Sequence, residues 1–139
     1  MLNRILAIDY GDKKVGLALS DPMKIIAKPY KTIINNSKEN LLSDIIQIIQ
    51  LKDVNEIVVG LPKTLKNTYS KQTYKVKDFI DYITSSLDIN VVIVDERLSS
   101  IEAKRSLINQ GIKTGHNKKD VDMTAAALFL QNYLDKIEK

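Results

Sequence analysis

The apolar residues of this chain form short continuous runs and longer runs with helical spacing. The short runs predict three strands near the start of the chain, at Arg4 to Asp9, Val15 to Ser20 and Tyr30 to Ile34. Turn residues separate these strands by connections short enough for an antiparallel meander. Two later apolar runs, Glu56 to Val59 and Val91 to Val94, lack polar alternation and predict buried parallel strands.

Four helices are predicted from the spacing of apolar residues and from capping residues. Ser99 and Glu102, for example, have the spacing of a capping box. In chain order the helices run from Asn36 or Ser37 to about Leu51, from about Ser70 to Ser86, from Ser99 to about Gly111, and from about Asp120 to Ile137.

The predicted order of elements is therefore β-β-β-α-β-α-β-α-α. A meander followed by right-handed crossovers gives an α/β fold with a mixed five-stranded sheet in the order 3-2-1-4-5 and helices on both faces. This is the ribonuclease H-like plan. With 139 residues and no long linker, the chain is predicted to form one domain over residues 1–139.

Three acidic residues lie beside buried runs. Asp9 and Glu96 follow apolar strands, and Asp122 stands just before the apolar run of the last helix. Ligand sites of α/β folds form at the carboxyl ends of parallel strands. Carboxylates brought together there would repel one another, so the pattern predicts a site for Mg²⁺ or Mn²⁺, and one or two such ions can support hydrolysis of a phosphodiester.

Each acid also has a simpler interpretation. Asp9 could begin a turn, and Asp122 could complement the dipole of a first helical turn, although Asp120 suits the helix cap better and leaves Asp122 for the site. Asp95 and Glu96 compete for one position, because neighbouring strand residues point to opposite faces. The fifth strand lies two strand spacings, roughly 10 Å, from the first. The longer side chain of Glu96 is therefore favoured.

The net charge of +4 is compatible with a polyanionic partner without requiring one. Lys14, Arg97 and Lys119 lie beside the acids and are predicted to contact phosphates, although lysines are commonly solvated surface residues. An alternative role for Arg97 is to hold Glu96 or Asp95 by a bidentate pair.

Two further residue types have open interpretations. His116, the single histidine, is expected to be exposed and without a role in chemistry, against the alternative of a proton donor. Tyr69 and Tyr74 could stack on single-stranded bases, but their helical spacing suits packing equally well.

Composition excludes several classes of site. The chain has no cysteine, so it has no disulfide, thiolate zinc site or iron–sulfur cluster. A signal peptide is not expected before the first strand, and the apolar runs are far shorter than the ~20 residues that a membrane span needs. A cytoplasmic protein without a membrane partner is therefore expected.

Four segments of the chain resemble the signature blocks of the YqgF (RuvX) family of bacterial ribonuclease H-like proteins. The segments are Ile8 to Ala18 with Ser20-Asp21, Val58 to Pro62, Val94 to Ser100, and Val121 to Ala126. The family is described as pre-16S rRNA nucleases and as Holliday junction resolvase-like proteins. The resemblance implies a metal-dependent nuclease in ribosomal RNA maturation, with Asp9, Glu96 and Asp122 as both metal ligands and catalytic residues.

The sequence is also compatible with other functions. The partner could be structured or single-stranded RNA, or branched DNA, whose resolution needs a symmetric dimer; a monomer and a homodimer are both compatible with the sequence. A non-catalytic RNA-binding assembly factor on the same scaffold is a further alternative, which retention of all three acids disfavours. An actin-like ATP-binding lobe is disfavoured because that site needs two lobes.

Overall fold

The structure, a computed structural model, describes residues 3–62, 70–96 and 118–137, with the side chains of the last range from residue 125 onward. The predicted helix from Ser99 to about Gly111 lies outside the described residues. The described elements follow the predicted order. They are β1 (Arg4–Asp9), β2 (Lys14–Ser20), β3 (Ala27–Ile34), α1 (Lys38–Lys52), β4 (Val54–Leu61), α2 (Lys71–Ser86), β5 (Asn90–Asp95) and α3 (Lys118–Ile137).

The five strands form one mixed sheet in the order β3-β2-β1-β4-β5. The β1, β2 and β3 strands are antiparallel neighbours, whereas β4 runs parallel to both β1 and β5. The predicted sheet order is therefore confirmed. It makes β1 the central strand, and it places the ends of β1, β4 and β5 at the same edge of the sheet.

Each face of the sheet has its own hydrophobic core. On one face, side chains such as Leu6, Ile57 and Val59 pack with α1 and α2 residues that include Ile45 and Ile83. On the other face, the strand residues Ile5, Ala7, Ala18 and Val58 pack with the α3 residues Ala126, Ala127, Phe129, Leu130 and Leu134. The alanines allow α3 to lie close to the central strands. No helix within the described ranges is both long and apolar enough to cross a membrane.

The starts of β3 and α3 differ from the predicted ones in an informative way. The β3 strand begins at Ala27 rather than Tyr30 and includes Pro29, which is tolerated because β3 is an edge strand. The last helix begins at Lys118, two residues before the predicted start. Asp120 therefore lies inside the helix and not at its cap. Asp122 lies beyond the first turn, and the effect of the helix dipole is strongest within that turn.

The helix caps confirm the sequence signals and fix two connections. Ser37, rather than Asn36, caps α1, and its side chain accepts a hydrogen bond from the backbone N–H of Asn40 at 3.1 Å. Ser70 caps α2 and exchanges hydrogen bonds with Thr73, which also donates its hydroxyl proton to the carbonyl of Pro62. The start of α2 is thereby attached to the end of β4.

Candidate active site

Strand alternation places Asp9 and Glu96 on the same face of the sheet. Ile5 and Ala7 of β1 pack in the core beneath α3, so Asp9, two residues further, belongs to that face. Val92 and Val94 of β5 pack against the same core, so Glu96 follows them on the same side. Asp95 belongs to the opposite face by the same alternation.

A glycine separates the two acids on the intervening strand. Ile8 pairs with Val59 and Gly60 pairs with Val94, so Gly60 of β4 lies level with Asp9. Glycine has no side chain to stand between the carboxyl groups of the outer strands. The ring of Phe129, on α3, covers Gly60 so closely that an added Cβ would lie 2.7 Å from a ring carbon. The two acids can therefore meet across a strand that offers no carboxylate of its own.

The Glu96 carboxyl group is in contact with that of Asp9. Burial raises the pKa of Glu96 above its ordinary value of 4.5, a hydrogen bond with the Asp9 side chain acts in the opposite direction, and the negative charge of Asp95 raises it further. A hydrogen bond between two carboxyl groups needs a proton on one of them. The pair is thus placed where two full negative charges are unfavourable without a cation.

The close contact between Gly60 and Phe129 predicts a measurable loss of stability in Gly60→Ala. The new methyl group must displace a ring that is 2% exposed, so we expect the free energy of unfolding to fall by about 1–3 kcal/mol. Denaturant unfolding of Gly60→Ala, Phe129→Leu and the double variant forms a double-mutant cycle. The smaller leucine should recover part of the loss; strictly additive effects would contradict the proposed contact.

The turn that follows Asp9 is held from the end of β3. Asn35 donates its side-chain amide proton to the carbonyl of Gly11 and its backbone N–H to the carbonyl of Lys13, each at 2.9 Å. A Cβ on Gly11 would collide with the carbonyl oxygen of Lys14, so only glycine fits this turn. Asn35 was not predicted as a site residue; its signal in the sequence is a polar amide directly after a predicted strand.

Of the three residues predicted to contact phosphates, the structure describes the side chain of Lys14. Lys14 is the first residue of β2, and alternation with Gly16 places it on the α3 face, where Gly16 pairs directly with Asp9. Lys14 therefore lies beside the site. Lys119 is the second residue of α3, and the structure describes only its backbone. Arg97 lies outside the described residues.

Asp122 lies in the backbone of α3, seven residues before Phe129. Two helical turns separate these positions, so they share one side of the helix axis. Among the side chains that the structure describes, no three acidic, histidine or cysteine residues form a metal-binding group. His116 and Tyr69 lie outside the described residues, whereas Tyr74 is 57% exposed and does not belong to the core.

The sequence as a whole matches a known family. The model of the RuvX family, described as Holliday junction resolvase, matches residues 3–136. The chain belongs to the RuvX family. A relative from Halothermothrix orenii is 39% identical over 95% of this chain and 94% of its own length, and one from Clostridioides difficile is 41% identical over the same shares. Both carry the name "Putative pre-16S rRNA nuclease".

Solved structures of resolvases have the same fold as this RuvX-family chain. The RuvC protein of T. thermophilus, solved in complex with a Holliday junction substrate, matches 98% of the chain and 96% of its own with a TM-score of 0.62 at 11% identity. The resolvase of Fowlpox virus, also solved with Holliday junction DNA, gives a TM-score of 0.53 at 14% identity. The predicted ribonuclease H-like fold is confirmed.

Proposed function

We propose that this chain is a divalent-metal-dependent nuclease that hydrolyses phosphodiester bonds during maturation of the 5′ end of pre-16S ribosomal RNA. The observation that carries the proposal is the contact between the carboxyl groups of Asp9 and Glu96 at the carboxyl end of the central strands. Membership of the RuvX family supports the reaction class. The names of the relatives support ribosomal RNA as the substrate.

The described residues fit a divalent cation. Asp9 and Glu96 supply oxygen ligands, which Mg²⁺ and Mn²⁺ prefer, and the contact between their carboxyl groups marks a position where positive charge is favourable. Asp122 is the proposed third ligand, since its helix packs over Gly60 through Phe129. A cation bound there would lower the pKa of a water molecule and stabilise the charge of the leaving 3′-oxygen.

The chain's own residues would position the substrate. Lys14 lies on the α3 face beside Asp9, where its ammonium group can contact a phosphate. Arg97 and Lys119 are proposed to contact phosphates of the same nucleic-acid strand, on the basis of their positions in the sequence. Asn35 holds the turn that ends at Lys13 and leads into Lys14 of β2, so it acts as a positioning residue.

Resolution of branched DNA is the second candidate function. The observation that favours it is the description of the matching family as Holliday junction resolvase, together with the likeness of the fold to RuvC. Symmetric resolution of a junction requires two active sites, and hence a dimer. The oligomeric state of the purified chain, measured by light scattering, bears directly on this candidate.

The experiment that separates these functions compares substrates under matched conditions. The purified chain is incubated with a precursor fragment of 16S rRNA and with a four-way DNA junction, each in Mg²⁺, Mn²⁺ or chelator. Cleavage of the RNA that chelator abolishes supports the proposed function, whereas faster cleavage of the junction supports the resolvase. Binding of RNA without cleavage of either substrate would contradict both and favour a non-catalytic assembly factor.

A further inference from the structure

A second positively charged surface lies at the end of the sheet opposite the carboxyl groups. The side chains of Arg4, Lys28, Tyr30 and Lys52 line a cavity of about 270 Å³ at the start of β1. Asp9 is at the other end of the same strand, ~16 Å away at the rise of an extended chain. Lys52 belongs to α1, which packs on the face opposite α3. The proposed active site therefore does not account for this basic cavity.

A bulge in the edge strand places the aromatic ring of this cavity. Ala18 pairs with Pro29 and Leu17 pairs with Lys31, so Tyr30 is the extra residue. Bulges commonly redirect a side chain. The Tyr30 ring packs against the core beneath α1, and the ammonium groups of Lys31 and Lys52 lie 5.4 and 5.5 Å from its centroid. Cation–π attraction therefore holds both charges near the cavity.

The cations of the basic cavity are not neutralised by acids within the described ranges. The Arg4 guanidinium donates one hydrogen bond, from Nη1 to the carbonyl of Lys52 at 3.2 Å, and keeps further N–H donors. Arg4, Lys28 and Lys52 form no ion pair with any residue that the structure describes. Three cationic side chains therefore line one concave surface.

Asp21 also lines this cavity, but its carboxylate group is hydrogen-bonded within its own loop. Its two carboxylate oxygens accept hydrogen bonds from the backbone N–H groups of Met23, Ile25 and Ile26 at 2.8 to 3.2 Å. Partial burial would raise the pKa of Asp21, but these hydrogen bonds keep it below its ordinary value of 3.8. The carboxylate is thus bonded to its loop and leaves the lysines available to an anion.

We propose that the basic cavity binds backbone phosphates of the nucleic acid at a position remote from the bond that is cut. Phosphate contacts of this kind supply affinity and orientation without reading sequence. The β3 edge leads from Lys28 and Lys31 at this end of the sheet to its last residue, Ile34, which pairs with Lys14 beside Asp9. A polynucleotide following that edge can reach both sites. The ligand identity rests on the proposed function, but binding here does not require cleavage.

The test measures binding separately from cleavage. Anisotropy of a fluorescent single-stranded RNA is followed against salt concentration for full-length Lys28→Ala, Lys52→Ala and the double variant, each in an Asp9→Asn background that should not cleave. Each single change should lower the slope of log K against log salt by about 0.7, and the double change by about 1.4. The matched control is Lys136→Ala, an exposed lysine in the last turn of α3. Its slope should equal that of the Asp9→Asn background.

The outcomes are separable. Slopes for Lys28→Ala and Lys52→Ala that match Lys136→Ala would overturn the proposal. Inorganic phosphate, added at constant ionic strength, tests the other source of the same chemistry. Phosphate binding that these variants lose while RNA slopes stay unchanged would assign the cavity to a small anion and also overturn it. Reduced slopes in a chain that cleaves no substrate would support this site and contradict the nuclease proposal.

Discussion

Asp9→Asn should lose at least ~100-fold in cleavage rate while the protein stays folded. Asparagine has the volume of aspartate but offers a neutral amide in place of an anionic ligand. Asp9 is the last residue of the central strand and its carboxyl group contacts that of Glu96, so the substitution removes one of the two carboxylates that meet there. Cleavage of the precursor RNA in saturating Mg²⁺, together with circular dichroism, measures both parts of this prediction.

The same substitution should stabilise the metal-free protein, by about 0.5–2 kcal/mol at neutral pH. The raised pKa of Glu96 means that the folded protein holds the proton of the Glu96 carboxyl group more tightly than the unfolded chain does. Its contribution to stability is therefore greatest below about pH 4.5, the ordinary value, and is lost as pH rises through the folded pKa. An asparagine amide can donate a hydrogen bond to ionised Glu96 without any shared proton. The gain should consequently grow with pH.

A control and a metal titration make this prediction specific. Asp81→Asn removes an exposed carboxylate of α2 and should change neither cleavage nor stability by more than ~0.5 kcal/mol. Added Mg²⁺ should raise the melting temperature of the parent protein and of Asp81→Asn, because a ligand of the folded state stabilises it by mass action. Asp9→Asn should show no such rise. Unchanged cleavage by Asp9→Asn would remove Asp9 from the proposed mechanism.

The fold was predictable because local signals and topology agreed. Continuous apolar runs marked the buried strands, serine caps marked the starts of α1 and α2, and short connections required a meander. The errors arose where tertiary context overrides a local rule. Pro29 interrupts the local strand signal, although the predicted sheet order places β3 at the edge, where a proline is tolerated.

The position of the candidate site was predictable, but its geometry depended on the register. Asp9 at a central strand end followed from the sheet order alone. The choice between Asp95 and Glu96 did not follow from it, because the continuous apolar run before these acids conceals which residues share a face. The structure supplies the missing parity through Val92, Val94 and the glycine between the acids. The lysine-rich cavity around Tyr30 likewise depends on a bulge that no sequence pattern indicates.

Glu96→Gln and Asp95→Asn should therefore have opposite outcomes, although the two residues are adjacent. Glu96 contacts Asp9 beneath α3, so Glu96→Gln should lose at least ~100-fold in cleavage rate. By strand alternation Asp95 belongs to the opposite face, and it pairs in the ladder with Leu61; its charge raises the pKa of Glu96. Its replacement by asparagine should leave the cleavage rate within a few-fold of the parent.

Stabilisation by Mg²⁺ provides a second measurement on the same two variants. Glu96→Gln should abolish the Mg²⁺-dependent rise in melting temperature, as Asp9→Asn does. Asp95→Asn should preserve that rise and extend it to lower pH, since losing the neighbouring charge lowers the pKa of Glu96 and eases competition by protons. If Asp95→Asn instead abolished cleavage and metal stabilisation while Glu96→Gln retained both, the second ligand would be Asp95. Equal losses in both variants would show that the two sheet faces do not separate the roles of these acids.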